Sequence, residues 1–297
     1  MQYLLQHSRF CGLKCDAVTL VRLLRAYVGM AYNRAPRSGD LVQQCHVGRT
    51  QADHFLAVLR EVEAARGRSW KAKIRVSGLV EVDGTSLGKF AVRATCKRFQ
   101  PQIKALTAKL ARTGKVIPSV FFVHYQVLGI MRRGGPPILA IPDLPVTVPG
   151  SRPPTESFEG IRQTGLLHKV PLARRPFTTI FSDGNRAWQT LAQQLRMTSH
   201  AVCHQSKEWT RTVQNKHWRA RHLLCGTQTL DRAWQSLKDF VGPKVSRKTG
   251  HGQHAHESFL VRDLISQFMY RQSMGNLEPG VFLLRLGEAF RVLADAP

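Results

Sequence analysis

Carboxylates are scarce in this chain, and three of them stand where chemistry can use them. Asp83 closes the apolar run "GLVEV", Asp183 closes "TTIFS", and Asp231 lies in "GTQTLDRAWQSLKDFVG". Strands of a parallel or mixed sheet deliver their terminal residues to one rim, where ligands usually bind. Two carboxylates there suggest a divalent metal site. Each is also followed by glycine, and taken singly "DG" reads as an ordinary turn. The segment around Asp231 reads as an amphipathic helix with Leu230, Trp234, Leu237 and Val241 on one stripe and Asp231 at its edge. Lys238, seven residues on, shares a face with Asp231. That pair can serve metal and nucleic-acid phosphate respectively, or it is a solvated helix face.

The rest of the chain is basic. Over 297 residues, 44 Lys and Arg face 19 Asp and Glu, a formal charge of +25 and a pI of about 10.8. A surface like that seeks polyanions. The excess is spread through "RFQPQIKALTAKLARTGK", "LARRPF", "QNKHWRARH" and "GPKVSRKTGHGQH" rather than held in one tail, which favours a folded basic face over a disordered arm. Within "NKHWRARH", Trp218 sits among Lys216, Arg219 and Arg221 and is the best candidate for base stacking. Trp188 and Trp234, at helical spacing among apolar residues, read as core. His204 and His217 could assist proton transfer, but nothing in the sequence fixes their position.

The longest apolar run, "SVFFVHYQVLGIM", is too short to span a membrane and contains His124, Tyr125 and Gln126. The start has no basic segment followed by an uninterrupted apolar one, so an intracellular protein is expected. Six scattered cysteines read as reduced thiols. Cys11 and Cys15 have the spacing of half a zinc knuckle, but no second pair follows. His251, His254 and His256 fall in polar sequence that reads as a loop.

Several elements must position the acids. Helical spacing predicts a helix over 16–29 and a short one in "SGDLVQQCH". A longer one follows in "VGRTQADHFLAVLREVEAARG", with Thr50 and Asp53 as a capping-box-like start. Short helix, tight turn at Gly48 and capped helix make the helix-turn-helix pattern, whose second helix can enter the major groove through Arg49, Thr50 and Gln51; an ordinary helical hairpin has the same pattern. After "RGRSWKAK" the period changes toward extended segments. "IRVSGLVEVD", "PSVFFVHYQVLGIM" and "PILAIPDL" read as strands, "TESFEGIRQTGLLHK" as a possible helix, and "FTTIFSDGNRAWQTLAQQL" as strand, turn and helix. A mixed sheet covered by helices follows. The division read from the chain is a helical DNA-binding region over 1–70, an α/β domain over 71–276 and a tail over 277–297.

In that order, "VEVDGTSLGK", "IFSDGNRAW" and "TQTLDRAWQSLK" resemble the DDE-type transposases of bacterial insertion sequences and their Merlin-like relatives. "HESFLVRDLISQFMYRQSMGN" resembles the family's closing helix. The resemblance covers roughly 75–276 and implies a ribonuclease H-like catalytic domain behind a helix-turn-helix. It also implies Asp83, Asp183 and Asp231 as the catalytic, metal-holding set, with two Mg2+ or Mn2+ ions, and Lys238 on the phosphate. Duplex DNA would be the partner, cut and joined by a protein at least dimeric on DNA and located in a nucleus or nucleoid. The family's third acid is most often glutamate, and Asp231 is one methylene shorter. A catalytically inactive, transposase-derived DNA-binding protein is therefore the alternative. A basic RNA-binding protein would explain the charge but not the three ordered acidic motifs.

Overall fold

The computed structural model describes residues 10, 13, 15–30, 35–203, 206–214, 222–242, 260–275 and 279–294. Contacts divide it into two units. One holds Met1–Lys73 with Asp239–Gly242 and Arg262–Pro297, and the other Ile74–Lys238 with Pro243–Val261.

In the first unit, α1 (Ala17–Val28) starts at Asp16, whose carboxylate accepts from the Thr19 amide at 2.6 Å. That bond satisfies one of the free amides of the first turn. Next come α2 (Ser38–Cys45) and α3 (Arg49–Lys73). Gly48 lies in the short connection between them, as the sequence implied, and His46 ends α2 in the left-handed region at φ 55°. The start of α3 differs from the sequence reading. Gln51 reaches back to accept from the Gly48 amide at 3.2 Å, while Asp53 pairs with Arg49 in solvent at 3.8 Å. The longer Gln51 side chain spans the first turn, leaving Thr50 exposed. Ala52, Phe55, Leu59 and Val62 of α3 are fully buried with Leu23 and Leu41.

The second unit is α/β, a mixed sheet flanked by helices. Its elements are β1 (Leu79–Arg93), α4 (Gln100–Arg112), β2 (Val120–Arg132), β3 (Ile138–Ala140), β4 (Val146–Thr147), α5 (Phe158–Thr164), β5 (Thr179–Ser182), α6 (Arg186–Gln194) and β6 (Thr198–Ala201), then the β7 (Arg211–Gln214) and β8 (His222–Cys225) hairpin and α7 (Gln228–Val241), whose residues from Asp239 on are counted in the first unit. The main sheet runs β3-β2-β1-β5-β6, with β4 also paired to β2. β2 is antiparallel to both of its neighbours β1 and β3, whereas β5 is parallel to β1 and β6 to β5. β2 is buried along almost its whole length, which its run of valine, phenylalanine, leucine and isoleucine requires. Trp188 of α6 is fully buried, as its helical spacing implied.

Two helices follow, α8 (Leu260–Met274) and α9 (Pro279–Ala294). Segment 277–297, read from the sequence as a tail, therefore contains a helix. Leu286 and Phe282 of α9 join the apolar cluster of the first unit. Among the described residues, no helix is long and apolar enough to cross a membrane.

Candidate active site

Asp83 does not end its strand. It lies inside β1, paired with Gly129 of β2, and β1 continues ten residues beyond it to Arg93. The turn expected from "DG" is absent because β2 supplies antiparallel partners on through Gly84, Thr85 and Ser86. The parallel side of β1 stops earlier. Its register with β5 runs Leu79 to Thr179, Val80 to Ile180 and Glu81 to Phe181. Continued by two residues, that register sets Asp83 beside Asp183, where β5 has just ended. Asp183 does take the turn its sequence predicts: Gly184 has φ 94°, and the Asp183 carboxylate accepts from the Asn185 amide at 3.3 Å.

Alternation along β1 puts Glu81 and Asp83 on one face of the sheet. Both belong to the seating of α7. Glu81, almost fully buried, accepts from the Thr229 and Leu230 amides at 3.0 and 2.9 Å and from Arg133 Nε at 2.8 Å. A carboxylate at the free amides and positive end of a helix is favourably placed. One turn further along α7, the Trp234 indole N–H donates to Asp83 Oδ2 at 2.8 Å. Trp234 is thus buried, as core spacing suggested, and also touches the candidate site. It reaches there because Gly129, opposite Asp83, has no side chain. A Cβ at Gly129 would stand 2.5 Å from Trp234 Cη2 and 2.9 Å from Cζ2. A rigid indole cannot yield that distance locally. Gly129→Ala is expected to cost about 1–3 kcal/mol through overpacking and to loosen the Asp83 bond, read as a lower urea midpoint.

A further carboxylate enters from the segment before α5. Glu156 fills the space where Gly84 would carry a Cβ, and its side chain accepts from Asn185 Nδ2. The same Asn185 side chain caps α6, its oxygen accepting from the Ala187 amide at 2.9 Å. Neither Glu156 nor Asn185 was singled out in the sequence. Asn185 is the cap residue two positions after Asp183. Glu156 stands at the start of the segment "TESFEGIRQTGLLHK" read as a helix, but the helix starts only at Phe158 and leaves Glu156 in the irregular stretch before it.

The electrostatics fit the geometry. Burial, then the Asp183 charge, pushes the Asp83 carboxyl up to about 8; the Trp234 hydrogen bond opposes this and Glu156 adds to it. Burial likewise raises Glu156, with a contribution from Asp183. Such an arrangement holds its proton until a cation offsets the crowding. Asp231 stands differently. It is exposed in the first turn of α7, and its carboxylate accepts from the Thr227 hydroxyl at 3.2 Å. Lys238 is exposed two turns further along. Among the described residues, no three His, Cys, Asp or Glu side chains form a group that could hold a metal ion as they stand.

Arg49 and Thr50 are exposed at the start of α3, with Gln51 half-buried by its capping role. Lys216, Trp218, Arg219 and Arg221 lie outside the described residues, as do Cys11, His204, His217 and the His251, His254 and His256 cluster. No protein-family model matches this chain, and no curated protein or solved structure matches it either.

Proposed function

We propose that this chain is a transposase-like protein that binds duplex DNA and catalyses divalent-metal-dependent strand cleavage and strand transfer. The observation that carries the reading is the parallel register of β1 and β5. It sets Asp83 and Asp183 side by side, in surroundings crowded enough to hold Asp83 protonated up to about pH 8. A ribonuclease H-like domain is supported by the sheet order, an antiparallel three-strand meander joined on its β1 side to two strands parallel to it. The helix-turn-helix reading is supported by the α2–turn–α3 sequence of elements with Arg49 and Thr50 exposed.

Asp83 and Asp183 would hold Mg2+ or Mn2+, with Asp231 entering from α7 as the resemblance implies. Divalent ions there supply activation of the attacking oxygen and charge neutralisation at the phosphodiester. The chain's own part is positioning. Trp234 fixes one oxygen of Asp83, Asn185 fixes Asp183 and Glu156 relative to α6, and Lys238 is available to phosphate. A non-catalytic DNA-binding reading is favoured by one observation, the exposure of Asp231 and its tie to Thr227.

Nicking of supercoiled plasmid with Mg2+ or Mn2+ tests this. The parent chain is expected to nick, and Asp83→Asn and Asp183→Asn to lose more than about 100-fold, since even outer-shell partners of a metal contribute about 10- to 100-fold. Asp231→Asn and Glu156→Gln, run beside them, show which carboxylate is the third. If the parent binds duplex but does not nick, and Asp231→Glu does not restore nicking, the non-catalytic reading replaces the first.

A further inference from the structure

The second unit carries a stretch of surface with no acid in it. From Gly84 to Pro142 the chain has ten Lys and Arg and not one Asp or Glu. Eight of these cations, from Lys89 to Lys115, are exposed. They occupy the second half of β1, the 3-10 turn Lys97–Phe99 and α4.

The build of α4 is unusual for a helix on a sheet. It buries only Ile103 fully, and its first turns are pinned by Gln102, which donates to the Leu144 carbonyl at 3.2 Å and accepts from the Val146 amide at 3.0 Å. Beyond that anchor it presents Lys104, Lys109 and Arg112, and Lys115 follows it, all exposed. At 100° per residue, Ala105, Ala108 and Ala111 share the arc with those three helical cations. Alanine favours the helix, and it leaves nothing bulky between the charges to hold a phosphate backbone away.

Cations in a last helical turn complement the dipole, and a solvated face would need no more than that. Some exposed arginines on this protein do sit with acids one turn away: Arg162 pairs with Glu159 at 2.9 Å and Arg285 with Glu288 at 3.1 Å. Among the described residues, Lys97, Arg98, Lys104, Lys109, Arg112 and Lys115 have no carboxylate partner. Like charges left unpaired over one helix and its entry turn repel, and a polyanion relieves that repulsion while releasing its own counterions.

We infer that α4 and the Lys97–Phe99 turn form a docking surface for the phosphate backbone of duplex DNA. This rests on the reading of the chain as a DNA-binding protein and names the face that carries the backbone.

The test uses the full chain in chelator, so that no strand is cut, and follows binding of a duplex oligonucleotide against salt. Lys104→Gln/Lys109→Gln/Arg112→Gln is expected to keep its helical signal. It should lower the slope of log affinity on log salt by about 2 to 3, since each phosphate contact on duplex DNA contributes about 0.9. Arg162→Gln/Arg285→Gln, which removes paired cations, should leave the slope nearly unchanged. If the triple variant loses helix, the single replacements carry the test, each expected to lower the slope by about 0.9. Parent-like slopes in the triple variant, or equal losses in both sets, overturn the surface while leaving DNA binding intact. No salt-dependent duplex binding by the parent chain overturns the surface and the functional reading together. Tighter binding of double-stranded RNA with the same dependence on α4 overturns the assignment to DNA.

Discussion

At pH 8 in chelator, Asp83→Asn unfolds at a higher urea concentration than the parent chain, and the advantage shrinks as pH falls, vanishing near pH 4. The Asp83 carboxyl is raised from 3.8 to about 8, by burial first and by the neighbouring Asp183 second. In the unfolded chain it is ionised above pH 4, while the folded chain keeps the proton. Between these values the native state binds more protons, so stability falls as pH rises through that window and levels off above about 8. Each pKa unit is worth about 1.4 kcal/mol, which makes the effect on the order of a few kcal/mol. Asparagine removes the charge while its carbonyl oxygen still accepts from the Trp234 indole. It therefore gains at high pH and gains nothing at low pH, where the aspartate is already neutral. Adding Mg2+ should narrow the gap at pH 8, because only the carboxylate gains from the ion. A variant-minus-parent difference that stays flat from pH 4 to pH 8 would show that burying Asp83 carries no ionisation penalty. The metal reading would then lose its physical basis.

The same residue shows how far the sequence could be read. The alternation in "GLVEVD" and the apolar run in "SVFFVHYQVLGIM" mark their strands clearly, because burial on a sheet leaves a local pattern. Where β1 stops is not local. Asp83, Gly84 and Thr85 look like a turn, and they extend only because β2 supplies partners opposite them. Two acids expected at strand ends hinted that Asp83 and Asp183 lie near each other, although only Asp183 follows the end of its strand. The register that sets them side by side depends on the crossover and could not be read.

Side chains that act through contacts distant in sequence were missed in the same way. Trp234 has core spacing, and nothing nearby shows that its indole N–H meets Asp83 over a glycine 105 residues earlier in the chain. Glu81 looked like one more polar position on an alternating strand. Its role in holding the first turn of α7 appears only when the helix is laid against β1. Glu156 has the weakest local signal of all, since it follows two prolines and precedes a helix of two turns.

The largest loss of stability is expected away from the site, in Arg271→Met. Glu63 of α3 is fully buried, and its two oxygens accept from Arg271 Nε at 2.9 Å and Nη2 at 3.3 Å, from Gln267 Nε2 at 2.8 Å and from the Tyr27 hydroxyl at 2.9 Å. The Arg271 guanidinium lies over the Tyr27 ring at 5.0 Å and near Phe240 and Phe282 at 5.7 and 6.0 Å. Close approach of α3 and α8 makes this possible: a Cβ on Gly67, one turn after Glu63, would collide with the Ser266 backbone. Removing the arginine leaves a buried carboxylate facing two neutral donors, an uncompensated charge that costs about 3–5 kcal/mol. Glu63→Met strands Arg271 to a similar degree. The double replacement removes both charges, so it is expected to cost clearly less than the two single losses combined; a buried pair replaced by packed apolar groups is often near neutral. Urea midpoints of the two single variants and the double decide it, and simple additivity would mean that the pair is not coupled. With coupling, the arginine of "FMYRQS" is required by a glutamate 208 residues away, so any truncation before α8 should destabilise the N-terminal helices as Arg271→Met does.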